Sequence, residues 1–396
     1  MSKSNYVIRV LNSPLEIDAG AWNGLLAQQA QPTPFMRHEY LAALHRSGSA
    51  CAATGWTPRF VTLWDSAQTL QAACPLYLKS HSRGEYVFDW AWADAHVRHG
   101  VVYYPKAVVA VPFTPVPGSR LLARDELSRL ALVEAVLALC REEHLSSLHL
   151  LFGHPLDLQA CEQAGLMQRH TVQFHWENRG PEPYRDFDDF LAALSQEKRK
   201  KIRQERRKVV EAGVTLRHTQ GSGISAEDWD FFYRCYEQTY HEHGNAPYLR
   251  RDFFEEIART QPQHWLLFIA EREERPIASS LIALSEDGGE RVAWGRYWGA
   301  LERVDCLHFE ACYYSPLQWC IAHGYQRFEG GAQGEHKLAR ALLPVRTSSA
   351  HWLSHPEFSS AIERFLERET LGVTDYLDDL KSHSPLRQGG SDISRP

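Results

Sequence analysis

Glu335, His336 and Lys337 stand side by side in the run from Arg327 to Arg340, directly behind Gly330, Gly331, Gln333 and Gly334. A carboxylate, an imidazole and an ammonium beside a glycine-rich turn can take a proton from an amine and stabilise a developing oxyanion. The glycines permit positive φ and let backbone amides approach a ligand without a Cβ in the way. Lys337 is therefore the candidate for holding an oxyanion or a donor phosphate, and Glu335 or His336 for accepting the proton. Gly330, Gly331, Gln333, Gly334 and Arg340 are the candidate substrate contacts around them. A solvated surface turn is the plain alternative.

Three other groupings carry chemistry. Trp294, Arg296, Tyr297 and Trp298, spaced by Gly295 and Gly299, form a strand along which a substrate can lie, with Arg296 available to a carboxylate or phosphate. Asp89, Trp90, Trp92 and Asp94 alternate as on a strand and either line a cleft or join the core. If Asp89 is buried it needs a partner, and Lys79, His81, Arg83 and Arg98 are close in sequence. The segment 198–208 holds eight lysines and arginines in eleven positions, on strong helix formers ending at Gly213. Its apolar stripe, Leu191, Leu194, Ile202 and Val209, is thin, so a solvated face or an anion site is expected, with Lys198, Arg199, Lys201 and Arg203 as phosphate contacts. His241-Glu242-His243 lacks a matching third ligand, and no metal is expected.

The elements that must position these groups repeat. Strand, polar turn and strand occur over residues 58–79, with a third strand expected over 85–92, and again over 276–298, at an offset of about 206 residues. Each copy is followed by a helix and a strand, 127–143 into 147–152 and 309–322 into 325–328. This pattern implies two halves of one architecture. The Gly and Pro cluster at 178–183 sets a boundary, giving domains over 1–178 and 179–396. The basic helix, 195–212, and the turn, 328–340, both fall in the second. The expected fold class is α/β, mixed sheets flanked by helices.

With 396 residues, 44% hydrophobic and 23% charged, the chain is long enough for two cores. A net charge of −6 excludes general attraction to nucleic acid, so any polyanion site is a local patch. Eight scattered cysteines without CxxC spacing read as reduced, mostly buried thiols. The N-terminus has no apolar signal core and no run suits a membrane span, so a cytoplasmic protein is expected.

The duplication, the basic helix with Lys198, Arg199, Ile202 and Arg203 leading to Ala212-Gly213-Val214, and the Phe328-x-Gly330-Gly331 turn followed by Lys337 resemble Fem-type peptidyltransferases. The segment from Leu78 to Asp94 and the one from Gly330 to Lys337 are similar to the FemAB-like branch of the GNAT superfamily, the peptidoglycan biosynthesis or recognition type. That resemblance implies tandem GNAT-like domains. It also implies transfer of an aminoacyl or acyl group from an activated donor, aminoacyl-tRNA first, to an amine of a peptide, amino acid or cell-wall precursor, with no tightly bound cofactor. Arg327-x-x-Gly330-x-Ala332 also fits the pyrophosphate cradle of coenzyme A-dependent acetyltransferases, so acyl-CoA is the second donor to consider. A non-catalytic peptidoglycan or peptide recognition module is the third reading.

Overall fold

Apolar runs of strand length, bounded by polar turns, become sheet, and apolar residues at helical spacing become the layers that cover it. The structure is a computed structural model and describes residues 6–331 and 334–387. Gln333 and Ala332 of the expected turn lie outside the described residues. Chain contacts divide the protein into two units, 1–171 with 248–257 and 346–374, and 172–247 with 258–345 and 375–396.

The first unit contains β1 (Val7–Leu11), α1 (Ala19–Leu26), α2 (His38–Arg46), β2 (Trp56–Pro58), β3 (Phe60–Trp64), β4 (Leu70–Cys74) and β5 (Leu76–Lys79). After these come α3 (Trp90–Arg98), β6 (Lys106–Val109), β7 (Leu122–Ala123), α4 (Glu126–Glu142), β8 (Ser147–Leu150), α5 (Pro155–Gln163) and the start of β9 (Met167–Glu177). One sheet runs β1-β3-β4-β7, and another runs β2-β5-β6-β8 onward. β6 and β8 pair in parallel, with α4 in the connection between them. Val61, Leu76, Leu132, Val136 and Leu148 form its main core.

The second unit continues with α6 (Phe187–Ala193), α7 (Gln196–Glu211), β10 (Val214–Gln220) and α8 (Ala226–Glu242). Beyond α9 (Arg251–Thr260) come β11 (Trp265–Arg272), β12 (Arg275–Ser285), β13 (Val292–Ala300), α10 (residues 307–322) and β14 (Arg327–Glu329). Its sheet runs β10-β11-β12-β13-β14, then the end of β9. All pairs are antiparallel except β13 with β14, and α10 makes that crossover. Next are β15 (Leu343–Leu353) and α11 (Pro356–Ser382). Among the described residues, no helix is long and apolar enough to cross a membrane.

The fold is thus mixed α/β, mixed sheets flanked by helices, and both units contain a parallel strand pair joined through a helix. One expected correspondence is corrected. The segment 85–92 is not the strand matching β13, since Trp90–Arg98 is a helix and β6 is the strand that pairs in parallel with β8. The alternation of tryptophan and alanine imitates a strand, but Trp92 and His96 lie one helical turn apart on the buried side and three alanines favour helix. Pro75 also splits the expected strand 71–79 between two sheets, as β4 and β5.

Candidate active site

β13 and β14 are in register only at Val292/Arg327, Ala293/Phe328 and Trp294/Glu329. Past that point they part. β13 continues to Ala300 against β12, while the Gly330 N–H donates to the Phe174 carbonyl on β9 at 3.2 Å. The gap is a cavity of about 140 Å³, lined by Ser280, Ile282, Gly295, Arg296, Tyr297, Trp298, His308, Cys312, Tyr313 and Gly330.

Two local features border this gap. α8 packs so tightly on β13 that a Cβ at Gly299 would lie 1.8 Å from the Cys235 carbonyl oxygen, so only glycine fits there. α10 contains a π-helical turn, Glu310–Tyr314, with Pro316 two residues past its end. Proline has no N–H to offer the carbonyl four residues back, and the widened turn carries Cys312 and Tyr313 to the cavity wall.

Lys337 is buried, and its stem passes Gly330, where a Cβ would come within 3.2 Å of the lysine Cδ. Its Nζ donates to the Gly331 carbonyl at 2.9 Å. Burial lowers its pKa to about 8, so most of the population is still an ammonium at neutral pH. His336 lies on the exposed rim, its Nε2 3.1 Å from the Tyr313 hydroxyl, with burial lowering its pKa further under the push of Arg340 and Lys337. Behind it, burial brings His308 down to about 4. The Tyr313 phenol is pushed up by burial and stays protonated, while the Cys312 thiol is likewise pushed up and stays neutral.

The structure sorts the residues singled out in the sequence. Gly295, Arg296, Tyr297, Trp298 and Gly330 line the cavity, with Lys337 and His336 beside it. Trp294 is buried and takes no part in the lining. Glu335 is exposed and accepts from the Tyr376 hydroxyl at 2.6 Å, away from the wall. Gly331 and Gly334 take positive φ, whereas Gly330 does not and is glycine because Leu342 and Lys337 crowd it. Arg340 is corrected as a substrate contact: its guanidinium is buried, paired with Glu205 at 3.0 Å, and stacked 3.4 Å from the centre of the Phe309 ring. Tyr314 also donates to Glu205, so this cluster clamps the turn to α7 and α10.

Asp89, Trp90, Trp92 and Asp94 belong to the first unit and share no cleft. Asp89 and Trp92 are buried, whereas Trp90 and Asp94 are exposed. The partner of Asp89 is Lys106, none of the four cations near it in sequence, and Tyr103 adds a hydrogen bond at 2.6 Å. On α7, Ile202, Glu205 and Val209 face inward. Lys198 meets Glu197 and Arg203 meets Asp188, at 3.4 and 3.5 Å, while Arg199, Lys200, Lys201 and Arg207 form no ion pair among the described residues. A larger groove, about 640 Å³, lies between α7, β10 and the far side of α10, where Arg206 is tied to Glu310 and Gln318. It is separated from Lys337 by α10 and holds none of the candidate chemistry.

Sequence reasoning missed His308, Cys312 and Tyr313. The signal was present: His308 and Cys312 are four apart, on one face of a mostly apolar helix.

A comparison of the sequence with curated proteins finds no match. Among solved structures, the C-terminal domain of a putative lysylphosphatidylglycerol synthetase from Agrobacterium fabrum is similar at 10% identity and a TM-score of 0.53, covering 88% of this chain and 96% of that one. L-PGS from Bacillus licheniformis is similar at 12% identity and 0.52, covering 88% and 97%. A conserved protein of unknown function from Bacteroides thetaiotaomicron gives 10%, 0.52, 88% and 100%. These likenesses concern the fold. The profile of the FemAB-like family, described as peptidoglycan biosynthesis/recognition, matches residues 13–388, and the chain belongs to that family.

Proposed function

We propose that this FemAB-like acyltransferase moves an acyl group from an activated ester onto an amine of a peptide or cell-wall precursor, with aminoacyl-tRNA as the favoured donor. The observation that carries this reading is the parting of β13 and β14 beside the buried ammonium of Lys337. An acyl carbonyl seated in the gap meets Lys337 as its oxyanion forms. A preorganised donor of this kind contributes about 3 kcal/mol. The Tyr313 hydroxyl, joined to His336, delivers a proton to the leaving oxygen or sulfur.

The donor assignment rests on charge. The loop leading into α10 carries Glu302 and Asp305, paired with Arg272 and Lys208, and it lacks glycine, a poor setting for a diphosphate. The cations Arg199, Lys200, Lys201 and Arg207 are available to a polyanion on α7. Coenzyme A remains the second reading, because the parted strands have room for a thioester arm.

Equilibrium binding of a mixed aminoacyl-tRNA pool and of acetyl-CoA, measured side by side across a salt series, tests the choice. Salt-sensitive tRNA binding is expected, and Arg199→Glu with Lys201→Glu should lower the log–log salt slope by about 2. Binding of acetyl-CoA alone overturns the tRNA assignment. If neither ligand binds, the recognition module takes its place.

A further inference from the structure

We infer that Glu329 takes the proton from the acceptor amine, which reaches the reacting carbon from the face of the sheet opposite α10. This rests on the acyl-transfer reading above. Phe328 packs in the core with Tyr313, Tyr314 and Leu317 of α10, so Glu329, the next residue on the strand, points to the other face. His175 faces the same way, because Phe174 and Trp176 on either side of it belong to that core and His175 is the register partner of Glu329. Glu329 is the last residue at which β13 and β14 are paired, and Gly330 already lines the cavity. The two faces of the sheet therefore meet at this residue.

Glu329 is 2% exposed. Its Oε1 accepts from Arg327 Nε at 3.1 Å, and Arg327 also reaches Glu290 at 2.8 Å. Its Oε2 is buried and receives no hydrogen bond among the described residues. His175 Nε2 stands 3.8 Å away, beyond hydrogen-bond reach, and has Gln173 Oε1 at 3.3 Å instead. The charged and titratable groups around this oxygen are Arg327 and Glu290, His175 and Glu177, and Lys337. Burial keeps His175 neutral, so it adds no competing charge. A buried carboxylate oxygen with one lobe open, at the end of a substrate gap, is an acceptor waiting for an N–H of the ligand.

In the step, an ammonium gives one proton to Glu329 Oε2. Its lone pair forms the C–N bond, the ester C–O or thioester C–S bond breaks, and the second proton passes to the leaving oxygen or sulfur by way of the Tyr313 hydroxyl. Glu329 then returns its proton to solvent. His175 is a positioning residue.

The test is single-turnover transfer by the full chain, from acetyl-CoA and from the aminoacyl-tRNA pool, to two probes. Hydroxylamine is a free base at neutral pH and needs no proton acceptor, whereas butylamine is protonated and does. Glu329→Gln is expected to slow transfer to butylamine at pH 7 by about 100-fold or more and transfer to hydroxylamine by less than about threefold, with butylamine rescued as pH rises. Equal losses on both amines overturn the role of Glu329 and leave acyl transfer standing. Absence of wild-type transfer to either amine overturns acyl transfer and this inference with it. Should Glu329→Gln fail to fold, the wild-type chain decides: a butylamine-to-hydroxylamine rate ratio that merely tracks the free-amine fraction from pH 7 to 10 overturns the proposal.

Discussion

Replacing Lys337 with methionine should raise stability while lowering activity. In the folded chain, burial brings the Lys337 pKa from 10.5 to about 8. At about 1.4 kcal/mol per pH unit, that gap corresponds to about 3 kcal/mol. The folded state binds this proton less tightly than the unfolded state, so between pH 8 and 10.5 the unfolded chain holds more protons and stability rises with pH. Below pH 8 the fold carries the full cost of a buried ammonium. Methionine removes that cost and also the hydrogen bond to the Gly331 carbonyl, about 1 kcal/mol, for a net gain of about 2 kcal/mol at pH 7. At pH 10.5 the gain should vanish. Urea midpoints of both proteins at pH 7 and pH 10 measure it, because every other titrating group is common to the two and cancels in the difference. Acyl transfer should fall by about 100-fold in the same variant. A midpoint difference that is the same at both pH values, or a less stable variant at pH 7, refutes the reasoning.

Two further variants probe the scaffold. Glu205→Gln leaves the buried Arg340 guanidinium without its counter-charge and should cost about 3–5 kcal/mol, read as a lowered urea midpoint; an unchanged midpoint means the clamp does not hold the turn. Gly299→Ala sets a methyl 1.8 Å from the Cys235 carbonyl oxygen, forcing α8 off β13 at a cost of about 2 kcal/mol or more, and an unshifted melting temperature contradicts that packing.

How much of the molecule was legible in the sequence depends on how local each signal is. The glycine-rich turn, Lys337 and the strand from Gly295 to Trp298 were found because their residue types are unusual for plain core or plain surface. α10 was legible from its apolar run and its Gly324 cap, which takes a φ of +69°. Its π-helical turn was not, since Pro316 only shows its effect once the helix around it is known. Arg340 was misread because its partner Glu205 lies 135 residues earlier, on the basic helix whose polar face was expected to meet solvent or an anion. Asp89 joins the core, one of its two readings, and its cation is Lys106, 17 residues on, not one of the nearer Lys79, His81, Arg83 and Arg98. Glu329 and His175 sit in strands whose polar and apolar residues alternate, a pattern that normally marks a solvated face. Here both are buried, and only the register of β9 with β14 brings them together.

The two units share a parallel strand pair linked through a helix, yet among the described residues one pair is closed at its end and the other is open. In the first unit the Leu151 N–H donates to the Val109 carbonyl at 3.0 Å, carrying β6 and β8 on past their paired residues. Gly118 then bridges to Gly153, its N–H donating to the Phe152 carbonyl and its carbonyl accepting from the His154 N–H. The chain's own backbone fills the place that corresponds to the gap of the second unit. The ionisable groups of the first unit are engaged inward as well: Lys106 is held between Glu85 and Asp89, and His149 pairs with His351 at 2.7 Å, both imidazoles kept neutral by burial. These groups are buried, and their contacts with one another order the core of the first unit. In the second unit, Lys337 and Glu329 Oε2 are buried at the lip of a gap that the backbone of the described residues does not close. The same strand–helix–strand plan thus gives a filled core in one half and, among the described residues, an open gap in the other, and the difference lies in the path of the backbone beyond the last paired residue of each parallel strand.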